Sequence, residues 1–210
     1  MLIDITFYFL IKLQIYTTND KDNTAMNETI KNILERRSIR SYENTQVKDE
    51  DLELIVQCGL YAATAIGKQP WHFTVLQNRK LMDKITSVNH DLLLNSPIEV
   101  VKAMESQPDF DSWRGAPTAI IVSGDGSRFA TADCANAIQN MAVAAKSLGL
   151  GSCYMAAFSP ALLHPEHKDF LEALGIPTGY TPIFALAVGY PAETLLSRAP
   201  RKENSINYIR

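Results

Sequence analysis

The sequence predicts an α+β domain built on a central sheet, with helices outnumbering the strands they separate. Three observations carry that reading. Thr118-Ala119-Ile120-Ile121-Val122 and Pro182-Ile183-Phe184-Ala185-Leu186-Ala187-Val188 are short, continuously apolar runs of the kind found in strands buried on both faces. Ala130 to Leu148 is long, rich in alanine and free of proline, and Gly149 follows it as a C-terminal stop. The strand patterns are separated by helical ones rather than running consecutively.

The remaining elements follow in order. Asn27 can cap a helix running to about Arg36, in which Ile30, Ile33 and Leu34 recur at helical spacing. Ser38 to Tyr42 reads as extended chain. A second helix starts near Asp49, where three acids (Asp49, Glu50, Asp51) suit the positive end of the helix dipole, and Leu52, Ile55, Val56 and Leu60 form its apolar stripe. Gly67–Pro70 breaks that helix. His72 to Leu76 alternates and is β-rich. Helical patterns cover 79–88 and 96–105. Ser152 to Met155 is a short strand, Pro165 to Leu174 a helix ending at Gly175, and the last twenty residues form an extended arm.

With 210 residues, 46% of them hydrophobic and 20% charged, the chain suits one folded domain with a sizeable core. A net charge of -3 lacks the basic footprint of a nucleic-acid binder. The three cysteines, Cys58, Cys134 and Cys153, form no CxxC or Cys/His cluster, so reduced, mostly buried thiols in a cytoplasm are expected. Residues Met1 to Tyr16 are strongly apolar. Yet they lack the basic start and small-residue cleavage site of a signal peptide, and Asp4 and Lys12 interrupt them too early for a spanning helix. A polar stretch, Thr17 to Thr24, follows. The functional domain is therefore expected to occupy 26–210, with 1–25 as an extension of unassigned role.

Three clusters could carry chemistry. Arg36, Arg37, Ser38 and Arg40 put three guanidiniums and a hydroxyl where a helix yields to extended chain. Guanidinium forks suit phosphate, and in extended chain Ser38 and Arg40 face one side while Ile39 faces the other. The same arginines would also suit a solvated helix end balancing its dipole. Thr64-Ala65-Ile66-Gly67-Lys68-Gln69-Pro70-Trp71 offers small residues that admit a flat ligand close to backbone, or simply a helix terminator. Gly149 to Phe158 is a glycine-bearing turn into a strand, a common core feature in its own right. His164 and His167, spaced i, i+3 with Pro165 between them and no third ligand nearby, read as a solvated helix start rather than a metal site.

Taken together and in register, these segments resemble the nitroreductase family of FMN flavoproteins. R-R-S-I-R-x-Y matches at Arg36 to Tyr42. The family's "A-P-S-x-x-N-x-Q-P-W" turn is similar to Ala63 to Trp71, and "A-P-T" matches Ala116-Pro117-Thr118. The "D-x-x-x-A-x-Q-N-M-x-x-A-A-x-x-L-G-L-G-S-C" helix and turn matches Asp133 to Cys153. "G-Y-P-A-E" followed by "R-K" matches Gly189 to Glu193 and Arg201-Lys202. The resemblance spans roughly residues 27 to 203.

The resemblance implies a nitroreductase-like fold with a central mixed or antiparallel sheet flanked by helices, an intertwined homodimer, and FMN at the subunit interface. It implies Arg36 and Ser38 at the FMN phosphate, Arg37 on the same edge, and Arg40 beside N1 and the C2 carbonyl. Thr64, Gly67 and Gln69 would belong to a turn supplied by the partner subunit. Gly67 stands where the family commonly has asparagine, a departure that removes one polar contact. Ala156 and Ala157 would offer main-chain contacts to the ring, and Arg201 would close on the phosphate, with Lys202 or Arg198 as substitutes. Trp71, Trp113 and the C-terminal arm are expected interface anchors. The implied reaction is ping-pong: NADH or NADPH donates hydride to flavin N5, then a nitroaromatic, quinone or similar small acceptor enters the same cleft. The flavin carries the chemistry, so no catalytic side chain and no metal is expected. Two other outcomes stay open: a flavin-binding or redox-sensing protein with little turnover, and a same-fold enzyme specialised for enone reduction or dehalogenation.

Overall fold

A computed structural model describes residues 26–97, 110–194 and 198–210. The chain divides into two compact units, Met1–Glu35 and Arg36–Arg210. In the first, helix α1 spans Glu28–Glu35. Its start follows from Asn27, whose Oδ1 accepts the Ile30 amide at 3.0 Å, and the Lys31–Glu28 pair at 3.5 Å spans its first turn. Its apolar residues Ile30, Ile33 and Leu34 are about half exposed at 46%, 50% and 51%.

The second unit carries the sheet. Strands β1 (Trp71–Leu76), β2 (Thr118–Gly124), β3 (Gly151–Met155) and β4 (Thr181–Gly189) pair in the order β1-β2-β4-β3, every pair antiparallel. The two apolar runs are thus the central strands, as their composition predicts. Their side chains alternate between two cores, because a strand sends successive residues to opposite faces. Ala119, Ile121, Ala185 and Ala187 enter a core with Met82, Ile85, Trp113, Phe158 and Phe170. Ile120, Val122, Leu186 and Val188 enter another with Leu52, Ile55, Ile138 and Met141. Helices α3 (Arg79–Leu94), α5 (Ser159–Leu163) and α6 (Asp169–Ala173) supply the first core. Helices α2 (Asp49–Leu60) and α4 (Ala130–Ser147) supply the second. Each fully buried isoleucine or leucine here stabilises by about 1.5–3 kcal/mol relative to exposure.

Several expectations needed revision. The helix predicted to reach Gly67 ends at Leu60, and a separate 3₁₀ turn follows at Ala65–Gly67. The predicted 165–174 helix is split into a 3₁₀ turn, Pro165–His167, capped by His164, and the short α6. The pattern predicted at 96–105 falls mostly outside the described residues. Helix α5 was not anticipated, its five residues being too short to show periodicity. Trp71 and Trp113 are not surface anchors: they are 8% and 0% exposed within this chain. Trp113 Nε1 donates to the Met82 carbonyl at 3.0 Å, and its ring stacks on Phe158 at 5.6 Å, so the residue completes a core. No described helix is long and apolar enough to cross a membrane.

Candidate active site

The segment after α1 runs along the free edge of β3. Ser38 forms a parallel bridge with Ser152, and the Ile39 amide donates to the Ser152 carbonyl at 3.0 Å. The approach depends on Gly151, since a Cβ there would lie 3.0 Å from Ile39 side-chain atoms. Ile39 packs against the first core. Extended geometry then turns Ser38 and Arg40 to the opposite side, as the sequence predicts. Arg36, Arg37 and Ser38 are half-buried and Arg40 is exposed. Tyr42 anchors the far end: its buried hydroxyl donates to the Ile39 carbonyl at 2.6 Å. Burial raises the Tyr42 pKa, with Glu193 adding and Arg40 opposing, so the phenol stays protonated.

The electrostatics of this edge are cationic. Among the described residues, neither the Arg36 nor the Arg40 guanidinium takes part in an ion pair. Burial pushes the Cys153 thiol up, and Arg40, Arg114 and Arg36 all pull it back. Three guanidiniums therefore act on one buried side chain of β3. Guanidinium forks such as those of Arg36 and Arg37 are the donors a phosphate wants. Of the C-terminal cations, Arg198 reaches the segment, donating through Nη2 to the Arg36 carbonyl at 3.2 Å. Arg201 and Lys202 are exposed.

The turn at Thr64–Gln69 is built differently. Ile66, Gly67 and Gln69 have φ of 51°, 69° and 50°. Glycine takes that conformation at no steric cost, whereas a β-branched residue is strained in it. Contacts at the base hold the turn. The Asp133 carboxylate accepts the Ala65 amide at 3.1 and 3.3 Å, and Asn136 Nδ2 donates to the Ala63 carbonyl at 3.3 Å. Lys68 pairs with Asp125 at 3.6 Å, and Thr64 Oγ1 accepts the Gln69 amide at 3.4 Å. The tip is bare: Ile66 is 98% exposed, and a Cβ on Gly67 would meet nothing within 4 Å.

Sequence reasoning missed Asp133 as the anchor of this turn, and Glu193 and Arg198 as anchors of the arginine segment. Asp133 left a signal, an acid placed among the buried positions Cys134, Ala137 and Ile138 of an apolar helix. Ala156 and Ala157 follow β3 directly. Ala156 is exposed, and its carbonyl accepts from the Ser159 amide and hydroxyl at 3.1 and 2.9 Å. Two concavities lie elsewhere. A groove of about 770 Å³ runs along α2 and β1, between Leu54, Leu60 and Val75. A second, of about 670 Å³, lies between Leu162, Leu171, Ile176 and Tyr180. Neither is lined by a predicted site residue.

An antiparallel sheet covered on both faces, with an arginine-rich segment on its β3 edge, defines a class of proteins that comparison identifies. The profile of the Nitroreductase family matches residues 33–190, and the chain belongs to that family. A protein of Archaeoglobus fulgidus, whose name pairs NADH dehydrogenase with NAD(P)H nitroreductase, is 30% identical over 173 residues; the match covers 80% of this chain and 88% of the relative. A nitroreductase crystal structure with bound FMN from Bacteroides fragilis superposes with a TM-score of 0.82 at 30% identity, covering 88% of this chain and all of the other. One from Desulfitobacterium hafniense, also with bound FMN, gives 0.82 at 27% identity with coverage of 88% and 100%.

Proposed function

We propose that the chain is an FMN-dependent oxidoreductase that draws on NADH or NADPH and reduces a nitroaromatic, quinone or similar small acceptor. The observation that carries this reading is the arginine-rich segment Arg36–Arg40 laid along the edge of β3, in a chain whose FMN-bound relatives share its fold. Arg36 and Ser38 would hold the phosphate, with Arg37 on the same edge, Arg201 closing over it, and Arg198 steadying the Arg36 backbone. Arg40 would stand beside the ring, where a fixed positive charge favours the anionic reduced form. Ala156 and Ala157 would offer backbone to the ring's other edge. The chemistry that FMN supplies when bound is two-electron transfer between nicotinamide and acceptor. The protein's own part is to bind, orient and shield.

The second half of the proposal is a homodimer in which Thr64, Gly67 and Gln69 cover the partner's cofactor. Supporting it, the turn has a firm base and a bare tip, Tyr61 just before it is 83% exposed, and Leu54, Leu60 and Val75 of the α2–β1 groove are 49%, 50% and 42% exposed. Ile206, Tyr208 and Ile209 of the C-terminal arm are also exposed, at 68%, 75% and 98%. Three free cysteines suit a reducing cytoplasm. The functional domain begins near Met26 in this reading; a variant starting there should keep activity and melting temperature, and a large loss of either would refute it. For the activity itself, purified protein should be yellow, bind FMN, and oxidise NADH or NADPH with parallel double-reciprocal lines when a nitroaromatic or quinone is varied. Yellow protein without turnover would favour a sensor or carrier. Colourless protein that cannot be reconstituted with FMN would overturn the reading.

A further inference from the structure

We infer that Glu193 is a positioning residue that sets where Arg40 stands, by using one carboxylate oxygen to hold two consecutive amides of the arginine segment. The segment between Ser38 and Glu43 is held by main-chain bonds on both sides of residue 40, but not at residue 40 itself. On one side the Ile39 amide donates to Ser152 of β3 at 3.0 Å. On the other, Tyr42 bridges Pro191, the Glu43 amide donates to the Tyr190 carbonyl at 2.9 Å, and the Ala192 amide donates to the Ser41 carbonyl at 3.0 Å. The chain thus passes from a parallel pairing with β3 to an antiparallel pairing with the residues after β4. At that changeover neither neighbour offers a carbonyl to the amides of Arg40 and Ser41. Glu193 Oε1 accepts both, the Ser41 amide at 3.1 Å and the Arg40 amide by a short bond.

The geometry has two consequences. A charged acceptor holds an amide about twice as strongly as a neutral one, so the backbone at residue 40 is fixed where the two pairings would leave it free. A side chain reaches out from its backbone, so holding the amides of residues 40 and 41 sets the point from which the Arg40 guanidinium reaches. The same contact ties the arginine segment to the stretch 190–193, and Arg198 adds a second tie at the Arg36 carbonyl. Glu193 touches neither cofactor nor substrate in this account and acts through Arg40. The role needs an acceptor oxygen at that point, since a single oxygen takes both amides, and the carboxylate charge strengthens both bonds.

The inference rests on the FMN reading only for its functional readout, and its test separates the two. Wild type, Glu193→Ala and Glu193→Gln would be compared in the full-length protein by amide hydrogen exchange without cofactor, by FMN titration, and by the flavin midpoint potential. Glutamine keeps a carbonyl oxygen at the same position. The Arg40 and Ser41 amides should be protected in wild type and Glu193→Gln, and exchange at least about tenfold faster in Glu193→Ala, since a lost bond to a charged group is worth that much. FMN should bind about tenfold more weakly to Glu193→Ala, with a lowered potential, and Glu193→Gln, whose neutral oxygen makes weaker bonds, should fall between that variant and wild type. The potential shift should vanish when Arg40 is already alanine, because the two residues act as one unit. Equal exchange in wild type and Glu193→Ala would overturn the inference, and so would a glutamine variant as impaired as the alanine one. Failure of wild type to bind FMN would sink the FMN reading, while exchange at Arg40 and Ser41 would still decide the role of Glu193.

Discussion

The arginine segment and the Thr64–Gln69 turn face opposite structural problems. The first is tied into its own chain at nearly every residue: to Ser152 on one side, to Tyr190, Ala192 and Glu193 on the other, and to Tyr42 at its end. Among the described residues the second is tied at its base, to Asp133, Asn136 and Asp125, and ends in a β-branched residue held in the left-handed region with no cover from its own chain. A segment that completes its contacts within one chain can form a ligand site alone. A strained, exposed tip on a braced base has the form of a part whose contacts come from elsewhere, which is the role proposed for it across a dimer.

The largest expected effect breaks the arginine side of that comparison. Arg36→Ala should weaken FMN binding by about 1.5–3 kcal/mol, the usual worth of a hydrogen bond to a charged group, while leaving the melting temperature of the cofactor-free protein nearly unchanged. Arg40→Ala should instead lower the flavin potential; identical potentials in wild type and this variant would remove the role given to Arg40. The next effect tests the base of the turn. Asp133→Ala leaves the Ala65 amide without its acceptor, and should cost about 1–3 kcal/mol of stability in denaturant unfolding. Stability equal to wild type would mean the turn is not braced there. The smallest effect concerns the tip. Ile66→Gly relieves a left-handed β-branched residue that touches nothing within its own chain, a gain of up to about 1 kcal/mol before the flexibility that glycine adds to the unfolded chain. In the proposed dimer the partner covers that side chain, so unfolding stability should fall instead; a rise would mean that the tip stays bare.

Much of the fold was legible because its signals are local. The central strands announced themselves as continuous apolar runs, and α4 as an alanine-rich stretch with a glycine stop. Where the sequence reading failed, the deciding contact was distant. The stretch after Leu60 leaves the helix and is stitched to α4 through Asp133 and Asn136, some seventy residues on (68 and 73 positions). Trp113 looked like a surface anchor because nothing nearby in sequence shows Met82 and Phe158 closing around it. The arginine segment was visible as a cationic cluster, but the carboxylate that fixes its backbone lies 153 positions away, and no spacing rule links the two.

The most direct test of the central claim, that Arg36–Arg40 grips a flavin phosphate, is a fluorescence titration of cofactor-free protein with FMN and with riboflavin, which lacks the phosphate. Wild type should bind FMN at least about tenfold more tightly than riboflavin, as one good charged hydrogen bond would require, and Arg36→Ala should erase most of that difference. Equal affinity for the two flavins in wild type, or a preference for FMN untouched by Arg36→Ala, would contradict the account.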